Sequence, residues 1–279
     1  MLLLAPAIVL LAVFVIGLAV FAVVWKLGRV TAQSGVKHND LFGPFFGRFL
    51  VWMMTPLEWL LVGRVSANAI TAMSLLLAGI AGVAAGLGHF VAACWTFALS
   101  GILDALDGRI ARLSGQQTQA GALFDSVSDR WGELALGTGF AWYLRDTPWL
   151  LAALASLGGS MMVSYTRARA EGLGIELRGG MMQRAERIVL ISLGTFLAAW
   201  WAVHDLQTHV IVTLGAMLTL SGITAIGTAV SRWVQAYREL VRRNAQTLAL
   251  QRAKALEESD QFLKVPVPAK LRESNQLSV

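Results

Sequence analysis

The sequence predicts an all-α integral membrane protein, in which an N-terminal transmembrane helix and an interfacial helix precede a core of six transmembrane helices. Three observations predict this class. Hydrophobic residues make up 56% of the 279 residues and charged residues only 14%, whereas soluble domains carry about 25% charged residues. Apolar runs long enough to cross a hydrocarbon layer of roughly 30 Å recur along the chain. Most Lys and Arg residues lie between these runs, as topology signals do.

The first apolar run, residues 2–25, contains no charged residue and is long enough to span a bilayer as a helix. A cleaved signal peptide is the alternative interpretation. Such peptides begin with basic residues, whereas here Lys26 and Arg29 follow the run. We therefore predict that residues 1–25 are a retained transmembrane anchor.

The juxtamembrane segment, residues 26–63, is predicted to lie in the membrane interface. Its apolar stretch, residues 41–62, is interrupted by two prolines and by Arg48 and Glu58. Aromatic side chains along this stretch suit the level of the lipid headgroups. We expect one or two interfacial helices here rather than a transmembrane span.

Six further apolar runs predict the transmembrane core. The glycines of the first of them, Gly79, Gly82 and Gly86, suit close helix packing rather than contact with lipid. After the last run, residues 238–279 are predicted to form a cytosolic helical tail with a disordered end. The predicted spans are residues 68–88, 91–112, 120–144, 148–168, 187–203 and 208–231.

The distribution of basic residues predicts the orientation in the membrane. If residues 41–62 stay in the interface, only Arg145 of the 23 Lys and Arg residues falls on the far side. This asymmetry predicts that the N-terminus lies outside and the tail in the cytosol. We expect the protein to be integral to the cytoplasmic (inner) membrane, with its active site facing the cytosol. The net charge of +6 is spread between the spans, so no nucleic-acid partner is expected.

Four aspartates in and beside the second and third core spans are the main functional signal. They occur as Asp104-x-x-Asp107-Gly108-x-x-Ala111-Arg112 and Gly121-x-x-x-Asp125-x-x-x-Asp129. Carboxylates at membrane depth are costly unless they are compensated. The spacings place the members of each pair one helical turn apart. Oxygen ligands suit Mg²⁺ or Mn²⁺, and two such ions can clamp a phosphoryl displacement.

This string of residues resembles the complete signature of the CDP-alcohol phosphotransferases. The resemblance covers about residues 64–235 and implies a catalytic domain at residues 64–237 with six transmembrane helices. It also implies transfer of a phosphatidyl group from CDP-diacylglycerol to an alcohol, with release of CMP. Members of this family act among membrane lipids and commonly form homodimers.

The resemblance implies a role for individual residues. Asp104, Asp107 and Asp125 would bind two Mg²⁺ or Mn²⁺ ions, with Asp129 beside them as a further metal ligand and as the catalytic general base. Ala67 stands where the family has a proline before Asn68. The residues implied to bind the CDP-lipid are Asn68, Asp107, Gly108, Arg112, Thr118 and Gly121.

The second half of the chain is expected to supply the acceptor site. Its serine and arginines resemble those of the prokaryotic phosphatidylinositol-phosphate synthases, whose acceptor is inositol phosphate. The residues implied to bind the acceptor phosphate are Ser164, Arg167, Arg187 and Arg232, with Arg167 standing where lysine is usual. Each arginine alone is also explained as a positive-inside anchor.

Several alternative functions remain open from the sequence. The acceptor is glycerol phosphate in one of them, a phosphatidylglycerophosphate synthase, and a neutral alcohol such as serine in another. A cation transporter that uses the acids as an ion path belongs to a different class, but the chain shows no internal repeat and its acids cluster toward one membrane face. A structural protein without activity is the last alternative.

Overall fold

The structure, a computed structural model, describes residues 5–27, 43–177 and 184–263. All regular secondary structure in these ranges is helical, which confirms the all-α prediction. The helices are α1 (Ala5–Lys26), α2 (Gly43–Leu61), α3 (Ala67–Gly86), α4 (Phe90–Leu113), α5 (Gln119–Tyr143), α6 (Leu150–Glu171), α7 (Arg184–Val203) and α8 (Gln207–Leu263).

Local signals in the sequence set the ends of the helices that carry the aspartates. Gly115, with a φ of 65°, turns the chain after α4, because glycine adopts the left-handed conformation without steric cost. Thr118 then caps α5, and its hydroxyl oxygen accepts a hydrogen bond from the backbone N–H of Gly121 at 2.9 Å. The short connection brings the two halves of the acidic motif together.

The core is built around α3, which packs against both α4 and α5. On the other side α6 lies along α8, and α7 packs against α4 and α8. An apolar cluster that includes Phe90, Leu136, Phe140 and Leu214 fills the centre. The acidic ends of α4 and α5 therefore face each other across one end of α3.

Four of the helices are long and apolar enough to cross a membrane, among the residues that the structure describes. They are α3, α4, the part of α7 from residue 186 and the apolar part of α8. The helix α5 falls short because it carries Asp125, Asp129, Arg130 and Glu133, and α6 because of its Gly, Ser and Arg residues. The protein is thus a membrane protein whose polar helices pack among apolar ones.

The backbones of α3 and α5 touch at Gly82 and Gly139. A Cβ atom on Gly82 would overlap the backbone oxygen of Ala135, and one on Gly139 would overlap that of Gly82. At Gly86 a Cβ atom would make ordinary contact with Trp142 at 3.5 Å. The prediction of close packing is wrong for Gly79, because no atom of another helix in the described part of the chain lies within 4 Å of its Cβ position.

The helix α1 packs on α2 through aromatic side chains. The ring of Phe21 lies 5.3 Å from that of Phe45 and 5.6 Å from that of Phe49, and both Phe21 and Phe49 are fully buried. The guanidinium of Arg48 stacks 5.0 Å from the ring centre of Trp25. Such pairs add cation–π attraction to the apolar contact.

A buried ion pair joins α2 to the helix that carries the first two aspartates. The carboxylate of Glu58, only 5% exposed, accepts hydrogen bonds from both Nε and Nη2 of Arg109, the latter at 3.0 Å. Arg109 lies two residues after Asp107 in the motif. The charge that interrupts the apolar pattern of α2 therefore has a specific partner on α4.

The last helix is one continuous element of 57 residues. It joins the last predicted span to the helix-favouring residues that follow it. Nη1 of Arg243 donates a hydrogen bond to the backbone oxygen of Gly174 at 3.0 Å, which ties this extension to the loop after α6. The predicted disordered end, residues 264–279, lies outside the described residues.

The close approach of α3 and α5 makes a first testable prediction. We expect Gly82→Ala to lower the midpoint of thermal unfolding in detergent, because overpacking costs about 1–3 kcal/mol. Gly79→Ala, three residues earlier on the same helix, is the matched control and should leave the midpoint unchanged or slightly raised. Equal midpoints for the two variants would contradict the backbone contact.

The ion pair between Glu58 and Arg109 makes a second testable prediction. We expect Glu58→Gln to destabilise the protein by about 3–5 kcal/mol, because it leaves the charge of Arg109 buried without its counterion. The double variant Glu58→Met, Arg109→Met should recover most of this loss in the same unfolding assay. A double variant as unstable as the single one would refute the assignment.

Candidate active site

Three of the four aspartates form a candidate metal centre. One carboxylate oxygen from each of Asp104, Asp107 and Asp125 lies within 4.8 Å of the other two. Oxygens on opposite sides of one octahedral Mg²⁺ ion, at bonds of about 2.1 Å, are about 4.2 Å apart. The three side chains therefore fit a single hard divalent ion after a small contraction, and their all-oxygen chemistry suits Mg²⁺ or Mn²⁺.

Asp107 is the most constrained of these ligands. It is 3% exposed, and its Oδ2 accepts a hydrogen bond from the hydroxyl of Thr71 at 2.6 Å. The backbone N–H of Gly108 donates to the other oxygen. Thr71 lies on α3, so the helix that packs against both halves of the motif also orients one of its ligands.

The six residues predicted to bind the CDP-lipid all line one cleft beside this centre. The cleft has a volume of about 560 Å³, within the usual range of about 300–1,000 Å³ for ligand pockets. A Cβ atom on Gly121 would lie 3.1 Å from the hydroxyl of Thr118 and 3.4 Å from Oδ1 of Asn68, so glycine keeps the cleft open. The six residues are Asn68, Asp107, Gly108, Arg112, Thr118 and Gly121.

The fourth aspartate, Asp129, contacts two arginines, Arg184 and, at 3.5 Å, Arg130. Oδ1 of Asp129 accepts a hydrogen bond from Nη2 of Arg184 at 2.7 Å. The same guanidinium donates to both oxygens of Asp104 at 2.9 and 3.0 Å. The role of Asp129 as a metal ligand and general base remains a prediction.

Glu133 extends the acidic row by one more turn of α5. It lies 3.5 Å from Nε of Arg184 and accepts from Nη2 of Arg187 at 3.2 and 3.3 Å. The sequence assigned no role to Glu133 or Thr71, and it placed Arg184 only among the arginines that could surround an acceptor phosphate. The spacing of four residues from Asp129 pointed to Glu133, and the spacing of three residues from Arg187 pointed to Arg184.

The predicted acceptor residues do not all meet in one place. The side chain of Arg187 is 2% exposed, and its Nη1 has no hydrogen-bond partner among the described residues. The guanidinium of Arg232 is close enough to those of Arg167 and Arg187 for electrostatic repulsion. Ser164 lies apart from them in a groove between α5 and α6 that Arg130 also lines.

A cavity of about 70 Å³ extends from the aspartates and the arginines into the apolar core, where Phe140 and Leu218 line it. Its wall is mostly apolar, but charged side chains line one end, and charged groups in the interior of a membrane protein mark functional sites. The side chains that line it near the acids are Asp104, Ser128, Asp129, Glu133, Ser160, Arg184 and Arg187.

The family follows from this fold and site. The family model of the CDP-alcohol phosphatidyltransferases matches residues 64–221, and the chain belongs to this family. It is therefore a transferase, which sets aside the cation transporter and the structural protein. The match begins after α2, so α1 and α2 lie outside it.

Several individual proteins are similar to this chain. It is 35% identical to the archaetidylinositol phosphate synthase of Methanothermobacter thermautotrophicus over 152 residues, 54% of this chain and 76% of that protein. A protein of Aquifex aeolicus with no assigned function is 36% identical over 201 residues, 70% of this chain and 92% of the relative. The phosphatidylinositol phosphate synthase of Mycobacterium tuberculosis is 38% identical over 111 residues, 38% of this chain and half of that enzyme.

Solved structures of one of these relatives also match the fold of this chain. The crystal structure of the Mycobacterium tuberculosis phosphatidylinositol phosphate synthase with CDP-DAG bound has a TM-score of 0.58 and 25% identity, and the match covers 67% of this chain and 94% of that one. The same enzyme in complex with manganese and citrate matches with a TM-score of 0.58 and 25% identity, over 66% of this chain and 88% of that one.

The hydrogen bond between Thr71 and Asp107 makes a third testable prediction. We expect Thr71→Val, which keeps the shape of the side chain, to weaken Mn²⁺ binding by roughly tenfold, as the loss of groups that orient metal ligands does. Thr71→Ser retains the hydroxyl and serves as the control. Titration calorimetry of the purified protein measures both, and unchanged affinity in the valine variant would show that Thr71 does not orient the ligand.

Proposed function

We propose that this enzyme transfers the phosphatidyl group of CDP-diacylglycerol to an inositol phosphate and releases CMP. The observation that carries the proposal is the carboxylate cluster, which opens into the cleft of about 560 Å³ on one side and contacts the guanidinium of Arg184 on the other. Two of the similar proteins are named for synthesis of a phosphorylated inositol lipid. A structure of one of them contains CDP-DAG and another contains manganese.

The residues of the cleft suit a nucleoside diphosphate. Gly108 and Gly121 leave room for close approach, and Arg112 reaches the cleft with a planar fork that matches phosphate oxygens. Two Mg²⁺ or Mn²⁺ ions, held by Asp104, Asp107 and Asp125 with Asp129 beside them, would supply neutralisation of the charge on the diphosphate.

Asp129 is the proposed general base. It lies between the carboxylate cluster and the arginine-lined cavity, where it lines the cavity wall. It would accept the proton of the attacking hydroxyl while the acceptor oxygen bonds to the β-phosphorus. The bond from that phosphorus to the departing CMP oxygen breaks in the same displacement.

The arginines favour a phosphorylated acceptor over a neutral one. Arg187 is buried, and among the described residues its Nη1 has no hydrogen-bond partner. Arg167 and Arg187 both repel Arg232, and Glu171 offsets part of this repulsion. A phosphate dianion would relieve this repulsion and accept bidentate hydrogen bonds. Ser164 is retained in the proposed acceptor set, although it lines the neighbouring groove. Glycerol phosphate is the rival acceptor, since it offers the same phosphate.

The arrangement in the membrane is part of the proposal. We propose that the active site faces the cytosol from the inner membrane, that α3 to α8 supply the six core spans, and that α1 is an additional anchor. The amphipathic helix α2, which contacts α1 and α4, would lie in the interface. A homodimer is the proposed assembly.

The acceptor assignment makes a fourth testable prediction. With CDP-diacylglycerol and Mn²⁺, the purified enzyme should form a lipid product with inositol phosphate faster than with glycerol phosphate or serine, as read by product mass. Asp129→Asn should lower kcat by about 10²–10⁴-fold, the usual contribution of a general base.

A matched pair of arginine variants tests the acceptor site itself. We expect Arg187→Gln to raise the KM for inositol phosphate at least about tenfold, in line with a lost charged hydrogen bond, without changing the KM for CDP-diacylglycerol. Arg145→Gln, on the exposed loop after α5, removes the same charge and should change neither. Full turnover with serine in place of a phosphorylated acceptor would overturn the proposal.

A further inference from the structure

Arg184 bonds two of the predicted metal ligands at once. It donates to both oxygens of Asp104 at 2.9 and 3.0 Å and to Asp129 at 2.7 Å. Its Nε also lies 3.5 Å from Glu133. The guanidinium thus faces three carboxylates on α4 and α5. Arg184 itself is the first residue of α7.

The position of this guanidinium conflicts with full metal loading. Asp104 belongs to the three-carboxylate cluster, yet both of its oxygens accept hydrogen bonds from Arg184. A divalent ion on the same oxygens would lie beside a positive charge in a site sheltered from water, where repulsion is strong. An ion shared by Asp104 and Asp129 would need the oxygens that Arg184 now holds. Metal and arginine therefore compete for the same ligands.

The cavity behind the acids supports the same conclusion. Its volume of about 70 Å³ is well below the roughly 300 Å³ at which ligand pockets begin. Arg184 and Arg187 both line it, but Arg187 is 2% exposed while Arg184 is 35% exposed. Arg184 is thus the arginine with room to move toward solvent, and its departure from the acids would enlarge the cavity.

We infer that Arg184 is the internal counter-cation of the metal-free enzyme: it neutralises Asp104 and Asp129 until divalent ions displace it, and its displacement opens the cavity to the acceptor. Metal binding then precedes acceptor binding and promotes it. The second half of this inference rests on the proposed function, since that function makes the cavity the acceptor site. The first half concerns only the metal and this chain.

Removing the guanidinium of Arg184 tests separately its effect on the stability of the metal-free protein and its effect on the affinity for Mn²⁺. We expect Arg184→Gln to lower the unfolding midpoint of the full-length protein in EDTA by about 3 °C or more, because Asp104 loses the guanidinium that holds both its oxygens and Asp129 keeps only the 3.5 Å contact with Arg130. The same variant should bind Mn²⁺ about tenfold more tightly than the wild type, because the ion no longer displaces a positive charge. The stabilisation by saturating Mn²⁺ should therefore be larger in the variant.

Two further variants keep the test specific. Arg187→Gln removes an equal charge one turn away on α7, from a side chain whose carboxylate partner is Glu133, and should tighten Mn²⁺ binding much less. Arg184→Lys keeps the charge and should restore most of the wild-type affinity and metal-free stability. Paramagnetic resonance of free Mn²⁺ and thermal unfolding give both readouts without substrate.

The outcomes distinguish this inference from the proposed function. If Arg184→Gln binds Mn²⁺ equally well or more weakly, Arg184 organises the metal ligands and the competition is refuted, whatever acceptor the enzyme uses. If Mn²⁺ binding tightens but inositol phosphate yields no product, the counter-cation stands and the acceptor assignment fails. If inositol phosphate lowers the Kd for Mn²⁺ in the wild type but not in Arg184→Gln, this result supports the coupling between metal binding and acceptor binding.

Discussion

The compensation of clustered carboxylates is the constraint on which the rest of this structure depends. Asp104, Asp107, Asp125 and Asp129 lie on helices that pack within a membrane protein, where uncompensated charge is costly. Hydrogen bonds from Thr71 and Arg184 relieve part of this cost in the structure. Divalent ions would relieve the remaining cost of the uncompensated charge. Their binding would therefore stabilise the fold as well as prepare the site for catalysis.

The packing of the helices serves this arrangement. The contact at Gly82 sets the distance between α3 and α5, because interhelical spacing depends on the smallest residue at the crossing. Glu58 holds the motif helix from outside the matched family region. The two helices before the family match therefore extend the support of the site rather than form a separate unit.

The sequence predicted the helices well and the contacts between distant helices poorly. The span predicted at 91–112 is the helix Phe90–Leu113, because the length of an apolar run is a local property. Most of the residues predicted to bind the CDP-lipid lie in two neighbouring stretches joined by a short turn, which explains why they line one cleft, whereas Asn68 joins them from α3. Arg184 meets Asp104 across 80 residues, and no local pattern reports such a contact. Gly79 and Gly82 look alike in sequence, but only Gly82 meets a neighbouring helix.

The most direct test of the central claim is anomalous diffraction from crystals of the protein soaked with Mn²⁺. The account predicts a manganese peak bounded by the carboxylates of Asp104, Asp107 and Asp125, with the guanidinium of Arg184 withdrawn from Asp104. A fully loaded, active protein whose manganese lies elsewhere, with those three carboxylates still turned toward protein donors alone, would contradict it.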